Sequence, residues 1–197
     1  IISLGGEFHF NEKINDFIIE DSKIKGVVGN KEYYSDTVIL AIGHSARDTF
    51  YKLYEYGLLM EKKNFSVGVR IEHKQKMINK SQYGTVTKLK LPPAEYKVVY
   101  HGENRSCYSF CMCPGGYVMA SSSEENSIVT NGMSEYKRDG ENANSALLVN
   151  VLTTDLGSSP LSGIDFQEKL EKDAFVLGGA NYNAPIQRVE DFLKNRK

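Results

Sequence analysis

The stretch from Phe65 to His73 constrains the fold most, because its apolar and polar residues alternate along its length. Successive side chains of a β-strand point to opposite faces, so a period of two predicts a long strand. One face then carries the apolar residues Phe65, Val67, Val69 and Ile71, and the other carries Ser66, Gly68, Arg70 and Glu72. A face that mixes glycine with charges either borders a cleft or faces solvent.

More strands are predicted further along the chain. They span residues 96–100, 106–112, 117–121 and 127–130. Pro114-Gly115-Gly116 predicts a turn between the second and the third. Residues 145–152 fit either a strand or a helix, and their β-branched members favour a strand. This part of the chain is therefore expected to form a mixed or antiparallel sheet.

Helices are expected beside that sheet. They cover residues 74–80, 164–176 and 186–194, and the second and third are bounded by Gly178-Gly179 and by Pro185. Residues 88–94 contain Pro92-Pro93 and are expected to be a loop, because proline cannot continue a helix or a central strand.

The first part of the chain reads as five short strands. They are residues 7–10, 14–20, 23–28, 31–34 and 37–42. The first four partly alternate and are separated by turn residues, which predicts an antiparallel meander. The fifth is apolar after Thr37, which predicts a strand buried on both faces, as in a parallel sheet.

Gly43 follows this apolar run and leads into a predicted helix, residues 46–56, with Ser45 as N-cap, Asp48 completing a capping box and Gly57 as the stop. A strand that ends in glycine before a helix N-terminus is where open α/β sheets bind ligands. The alternative is a glycine that only lets the chain turn.

The charge balance narrows the classes of partner. Among 197 residues, 24 Lys and Arg nearly cancel 25 Asp and Glu, and both signs are scattered, which gives no nucleic-acid or membrane-surface footprint. No run approaches the roughly 20 apolar residues of a membrane span, and no signal pattern opens the chain. We expect a cytoplasmic protein whose natural start precedes Ile1, with a small neutral ligand or another protein as partner.

The three cysteines lack the paired spacing of a disulfide scaffold, so reduced thiols are expected. A strand would place Cys111 and Cys113 on one face, roughly 7 Å apart. A structural zinc needs about four ligands, so no metal site is predicted. The simplest interpretation is two small buried apolar side chains beside the Pro-Gly-Gly turn.

Several strings resemble a known family. They lie at residues 34–43, 43–50, 65–73, 82–84, 110–116, 131–134, 142–146 and 181–185, and the most specific are Gly-His-Ser-Ala-Arg-Asp from Gly43 and Phe-Cys-Met-Cys-Pro-Gly-Gly from Phe110. Over nearly the whole chain they resemble the uncharacterised FAD-dependent dehydrogenases of bacteria. The resemblance implies an α+β protein in two parts: residues 1–48 complete an FAD-binding domain, and residues 49–197 form a substrate domain that covers the flavin.

In that family a Gly-x-Gly-x-x-Gly turn precedes these segments and holds the FAD pyrophosphate, and another glycine-rich FAD segment follows them. Neither occurs in this sequence. The resemblance therefore implies FAD in the full-length protein and little retention of FAD by this chain alone.

The resemblance also implies site residues. Ile14 becomes a main-chain contact near the adenine, with an ordinary core residue as the alternative, and Ala41, Gly43 and His44 lie along the FAD. His44 is read first as a helix-entry residue bonded to nearby backbone, and no catalytic residue is named. Candidates for the flavin or substrate pocket are Arg47, Arg70, Cys111, Cys113, Gly115, Gly116, Asn131 and Asn144.

Three details of these candidates stay open. Arg47 either reaches an anionic group or is a solvated charge. Cys111 and Cys113 are either packing residues or redox partners of the flavin. Asn131 and Asn144, with Asn142, Asn181 and Asn183, are expected in turns, where they either serve local turn geometry or form a polar pocket wall.

The function implied is a fragment of an FAD-dependent oxidoreductase, inactive by itself, in which the flavin carries the chemistry for an unidentified substrate. Expected partners are a small-molecule substrate or electron donor and the missing FAD-domain segments. Apolar surface left exposed would also favour a dimer. The alternative is a non-catalytic binding or protein-interaction module.

Overall fold

The computed structural model describes residues 1–85 and 89–196 and contains two compact units, Ile1–Met60 and Glu61–Lys197. Antiparallel sheets and a few helices make up both, which confirms the α+β class. The boundary predicted after residue 48 lies inside the first compact unit, which ends at Met60. The assignment of residues 1–48 and 49–197 to cofactor and substrate stays a prediction.

The first unit contains a three-stranded antiparallel meander, β1 (Asp16–Glu20), β2 (Lys23–Val28) and β3 (Glu32–Tyr34), in that order in the sheet. The meander predicted from the turn residues is therefore confirmed for these three strands. Its first predicted strand, residues 7–10, is wrong: those residues are irregular and pair with no strand among the described residues.

Helix α1 (Arg47–Glu55) confirms the predicted helix and is held to β1. The Tyr56 hydroxyl donates to Oδ1 of Asp16 at 2.6 Å, and Lys52 lies 3.4 Å from Oδ2 of the same carboxylate. This hydrogen bond from Tyr56 and a backbone bond from Phe17 lower the pKa of Asp16. Gly57, at φ 79°, ends the helix as predicted.

The predicted capping box at the start of α1 is wrong. The helix begins at Arg47 with Ala46 as N-cap and no side-chain cap. The Asp48 carboxylate instead pairs with Lys13 at 2.7 Å and accepts the N–H of Thr49, so it is not available to reach back to the cap.

The apolar run 37–42 is not a strand, and this corrects the prediction of a strand buried on both faces. It is irregular, and Ile39 is 86% exposed. An apolar run becomes a buried strand only where neighbouring strands pair with it on both sides. Among the described residues no strand does so.

The second unit contains the remaining strands and helices. In chain order they are β4 (Phe65–Lys74), α2 (Gln75–Tyr83), β5 (Val99–His101), β6 (Ser106–Cys113), β7 (Gly116–Ser121), β8 (Val129–Ser134), β9 (Asn142–Val151), α3 (Ser162–Leu177) and α4 (Val189–Leu193). Residues 89–94 of the predicted loop are irregular, and Lys88 lies outside the described residues.

These strands form two antiparallel sheets. The larger has the order β4-β9-β6-β5, and β7 and β8 form a two-stranded sheet. β4 pairs with β9 over its whole length, from Phe65 opposite Val151 to Lys74 opposite Asn142. On the odd-numbered face of β4, the ring of Phe65 meets Phe166 of α3 edge to face at 5.9 Å. The even-numbered face, which carries Arg70, is therefore the opposite side from α3.

Candidate functional site

Arg70 is the centre of a polar group that joins several strands of the second unit. Its Nε–H donates to Oδ1 of Asn144 at 2.9 Å, and Nη2 donates to the carbonyl of Cys111 at 2.8 Å. Nη2 also lies 3.7 Å from Sγ of Cys113. We call Arg70, Cys111, Cys113, Gly132 and Asn144 the Arg70 cluster. It joins β4, β6, β8 and β9 through side chains and backbone that are distant in sequence.

A bulge in β6 brings the Cys111 carbonyl to Arg70. The register with β9 shifts between Phe110 and Cys113, and Cys111 has a φ of 46°. For a residue with a Cβ, this left-handed conformation costs about 1–2 kcal/mol. The Sγ of Cys113 donates to the same carbonyl at 3.3 Å. The bulge therefore gathers two donors on one carbonyl oxygen at the expense of regular pairing.

The bulge corrects two expectations about the cysteines. A regular strand would place Cys111 and Cys113 on one face, but the shifted register removes that alternation between them. Cys111 is exposed and Cys113 half-buried, so the interpretation as two buried apolar side chains is also wrong. Both thiols are free, as is that of Cys107, and a redox role for the pair stays a prediction.

Gly132 lies directly beside the guanidinium. A Cβ at this position would lie 2.3 Å from Nη2 of Arg70 and 2.2 Å from Oδ1 of Asn144. Both distances are far below van der Waals contact, so any larger residue would displace the hydrogen-bonded pair. Sequence reasoning missed Gly132 as a site residue, although it lies in the string 131–134; only the tertiary contact shows its role.

The charge of Arg70 is not neutralised by a carboxylate within residues 1–85 and 89–196. Glu72 shares the face of β4, but its Oε1 accepts a hydrogen bond from Asn142 at 2.6 Å. The Nη1 of Arg70 donates to no described group. Arg70 is half-buried, and both its strong acceptors are neutral. A partly desolvated cation of this kind favours an anionic ligand.

Asn144 is wholly buried, and this corrects its predicted place in a turn. Its Oδ1 accepts from Arg70, and its Nδ2 has no hydrogen-bond partner among the described residues. Leaving a buried donor unsatisfied costs about 1–3 kcal/mol. The described hydrogen bond of the Asn144 side chain is therefore the one that positions Arg70.

A second polar group lies on the other face of the same sheet and was missed by sequence reasoning. His73 Nε2 and the Tyr96 hydroxyl are 2.8 Å apart, and the buried Ser145 donates to the carbonyl of Phe110 at 3.2 Å. Burial lowers the pKa of His73, which keeps the ring neutral at neutral pH. Burial raises the pKa of Tyr96, while a hydrogen bond with Ser145 and the charge of Arg70 lower it. His73 and Ser145 lie in the strings 65–73 and 142–146, but nothing in those strings indicates this contact.

Gly115 and Gly116 serve close backbone packing. Gly115 has a φ of 55°, its N–H donates to Oε1 of the buried Gln75 at 2.8 Å, and a Cβ there would lie 1.9 Å from the Arg138 carbonyl. A Cβ at Gly116 would lie 2.1 Å from the carbonyl of Met133. Both glycines are buried, so the turn is fixed by backbone contacts.

The other asparagines are not gathered at one wall. Asn131 and Asn142 lie in strands β8 and β9 rather than in turns, which corrects that expectation. Asn131 accepts the N–H of Gly132 at 2.8 Å, and alternation along β8 directs it away from the side on which Gly132 meets Arg70. Asn181 accepts the N–H of Asn183 at 3.0 Å, as expected for a local turn.

In the first unit, Ile14 lines a pocket of about 360 Å³ together with Phe17, Asp48, Tyr51 and Lys52. Ala41, Gly43 and His44 are exposed and do not line it. Gly43 has a φ of 69° with open space where a Cβ would be, and Nε2 of His44 lies 3.3 Å from Oγ of Ser45. The contacts of these four residues with FAD stay predictions.

Arg47 is 5% exposed, so its interpretation as a solvated charge is wrong. No group of three or more His, Cys, Asp or Glu side chains that could hold a metal ion occurs within the described ranges. In the same ranges, no helix is both long and apolar enough to cross a membrane.

Comparison with known proteins identifies the family. Residues 64–197 match the family described as FAD-dependent protein, C-terminal domain-like. A protein of Clostridium beijerinckii, described as uncharacterized, is 50% identical over 198 residues, which cover 98% of this chain and 37% of that relative. The chain thus spans little more than a third of the length of the relative. It belongs to the family of FAD-dependent proteins, of which it contains the C-terminal domain-like region.

Proposed function

We propose that this chain is part of an FAD-dependent oxidoreductase and that the Arg70 cluster is its substrate-binding side. Membership of an FAD-dependent family supports the cofactor. The uncompensated charge of Arg70 supports the ligand site, and it is the observation that carries the proposal. A fully buried arginine is almost always paired with a carboxylate. The half-buried Arg70 is held instead by an amide oxygen and a carbonyl oxygen.

The first unit has one feature that suits contact with a large cofactor. The backbone groups of residues 38–43 make no hydrogen bond within the part of the chain that the structure describes, and their apolar side chains are exposed at Ile39, Leu40 and Ile42. Unpaired backbone and exposed apolar side chains are available for a ligand or for a further strand. Ala41 and Gly43, and after them His44, would contact FAD there, and Ile14 would contribute from its pocket.

FAD, when bound, supplies hydride or electron transfer. The chain's own residues act on the substrate. Arg70 binds and orients it through its free N–H groups, and Asn144 holds the guanidinium in place. Gly132 has no side chain, so nothing at this position displaces the guanidinium. On the other face of the sheet, His73 is neutral and Tyr96 is protonated at neutral pH.

The absorbance of the full-length protein tests the cofactor assignment. Flavin bands between 350 and 500 nm, with flavin released on denaturation, are expected. The isolated chain should bind FAD weakly when titrated, because it has no Gly-x-Gly-x-x-Gly turn. A colourless full-length protein that cannot be reconstituted with FAD would contradict the proposal and favour a non-catalytic binding module.

The exposed apolar side chains of the first unit support a partner surface as well. Leu4, Phe10, Ile39 and Leu59 are each at least 82% exposed. We propose that this surface packs against further segments of the FAD domain in the full-length protein. The isolated chain should then self-associate in sedimentation, whereas the full-length protein should not do so through this surface.

A further inference from the structure

We infer that Arg70 binds a carboxylate, and that the substrate of the proposed oxidoreductase is a small carboxylic acid. That the ligand is a substrate rests on the proposed function. The anion-binding site itself depends only on residues of the second unit. Its basis is a guanidinium that is positioned from two sides and has donors left over.

The guanidinium is held rigidly. Asn144 accepts from Nε and Cys111 accepts from Nη2, and these acceptors come from different strands of one sheet. Arginine loses less entropy on binding when its side chain is already fixed. The strained backbone at Cys111, with φ 46°, and the unsatisfied amide of the buried Asn144 are costs of this arrangement.

The site can be reached from one side. Gly132 lies directly against the guanidinium, because a Cβ at this position would be 2.3 Å from Nη2 of Arg70. Cys111, on the other strand, is exposed, and Arg70 is only half-buried. A ligand therefore approaches from the side of the exposed Cys111, and Nη1, which donates to no described group, is left to bind it.

The chemistry of the free donors selects the ligand class. Guanidinium N–H groups lie in a plane and match the two oxygens of a carboxylate. No described carboxylate competes, since Glu72 is bonded to Asn142. An anionic edge of reduced flavin would offer related chemistry, so the experiment must separate a substrate carboxylate from the flavin itself.

The test uses the full-length protein and two probes, 4-fluorobenzoate and the uncharged 4-fluorobenzamide, followed by ¹⁹F NMR. The benzoate should bind, and the benzamide should bind at least about tenfold more weakly. Arg70→Gln should weaken benzoate binding at least about tenfold, and Arg70→Lys should restore only part of it, because lysine keeps the charge without the planar fork.

Arg138→Gln is the matched control, because Arg138 is an exposed arginine already paired with Glu95 at 2.6 Å. It should leave benzoate binding unchanged. Circular dichroism establishes whether each variant is folded. If Arg70→Gln is not folded, the loss of benzoate binding is measured in Arg70→Lys instead.

Three outcomes would overturn the inference. The first is no benzoate binding by the parent protein, and the second is equal binding by folded Arg70→Gln. The third is that Arg70→Gln changes the flavin midpoint potential in the absence of ligand but leaves benzoate binding unchanged. Arg70 would then contact the flavin and not the substrate. A protein without flavin that still binds benzoate through Arg70 would keep the anion site and reject only the oxidoreductase.

Discussion

Arg70 on β4 donates its Nε–H to Oδ1 of Asn144 on β9 at 2.9 Å, and Asn144 is wholly buried. Packing therefore sets the position of the amide, and the amide sets the position of the guanidinium. An aspartate at the same place would have neutralised the charge. The choice of a neutral acceptor leaves the charge of Arg70 for a ligand.

Asn144→Asp tests this relationship directly. The new carboxylate would pair with Arg70 and remove its excess charge, so the affinity for 4-fluorobenzoate should fall at least about tenfold. Asn104→Asp adds the same charge at an exposed position in the turn between β5 and β6 and should change binding little. Equal losses in the two variants would indicate a general charge effect, not neutralisation of Arg70.

Gly132→Ala should destabilise the second unit by about 1–3 kcal/mol, because the added methyl group overlaps the Arg70 and Asn144 side chains. Urea unfolding measures the free energy. Gly157→Ala is the control, since its Cβ would meet only Ser162, at an ordinary 3.5 Å. A free energy of unfolding unchanged in Gly132→Ala would mean that the guanidinium is not confined on this side.

Alanine substitutions at Gly115 and Gly43 distinguish the cost of a strained backbone from the cost of steric overlap. Both have positive φ, 55° and 69°, but a Cβ at Gly115 would lie 1.9 Å from the Arg138 carbonyl, whereas a Cβ at Gly43 meets nothing within 4 Å. Gly43→Ala should therefore cost about 1–2 kcal/mol for backbone conformation alone. Gly115→Ala should lower the free energy of unfolding by clearly more. Similar losses at the two positions would show that the turn at Gly115 can relax.

Asp155 should stabilise the fold against acid. Arg105 donates to both its carboxylate oxygens at 2.6 and 2.7 Å and Leu152 donates its N–H, which lower the pKa of Asp155 from 3.8 to about 2. Because the folded pKa is below the unfolded value, this contribution is present above pH 3.8 and is lost as the pH falls towards 2. In Asp155→Asn, the unfolding midpoint should therefore decline less between these pH values than in the parent. An identical decline would mean that the ion pair does not act on stability.

The sequence predicted those parts of the fold whose signal is local. The alternation from Phe65 to His73 corresponds to β4 (Phe65–Lys74), and the turn residues of the meander correspond to β1, β2 and β3. The run 37–42 failed because its apolar composition predicts burial only where other strands are available to pair with it.

Part of the Arg70 cluster was named from the sequence, while its role as a ligand site stays a prediction. Arg70, Cys111, Cys113 and Asn144 were named as candidates, and the structure brings them together. Their arrangement depends on a non-glycine residue in the left-handed region at Cys111, which no local residue preference announces. Gly132 and Tyr96 act through tertiary contacts between distant parts of the chain, so their roles become visible only in the folded structure.

The visible spectrum of the full-length protein during titration with 4-fluorobenzoate tests at once whether the protein binds flavin and whether Arg70 binds the carboxylate. We expect flavin bands between 350 and 500 nm that shift on titration, and the same shift in Arg70→Gln only at concentrations at least about tenfold higher. A protein without flavin bands, or an identical titration in parent and Arg70→Gln, would contradict this expectation.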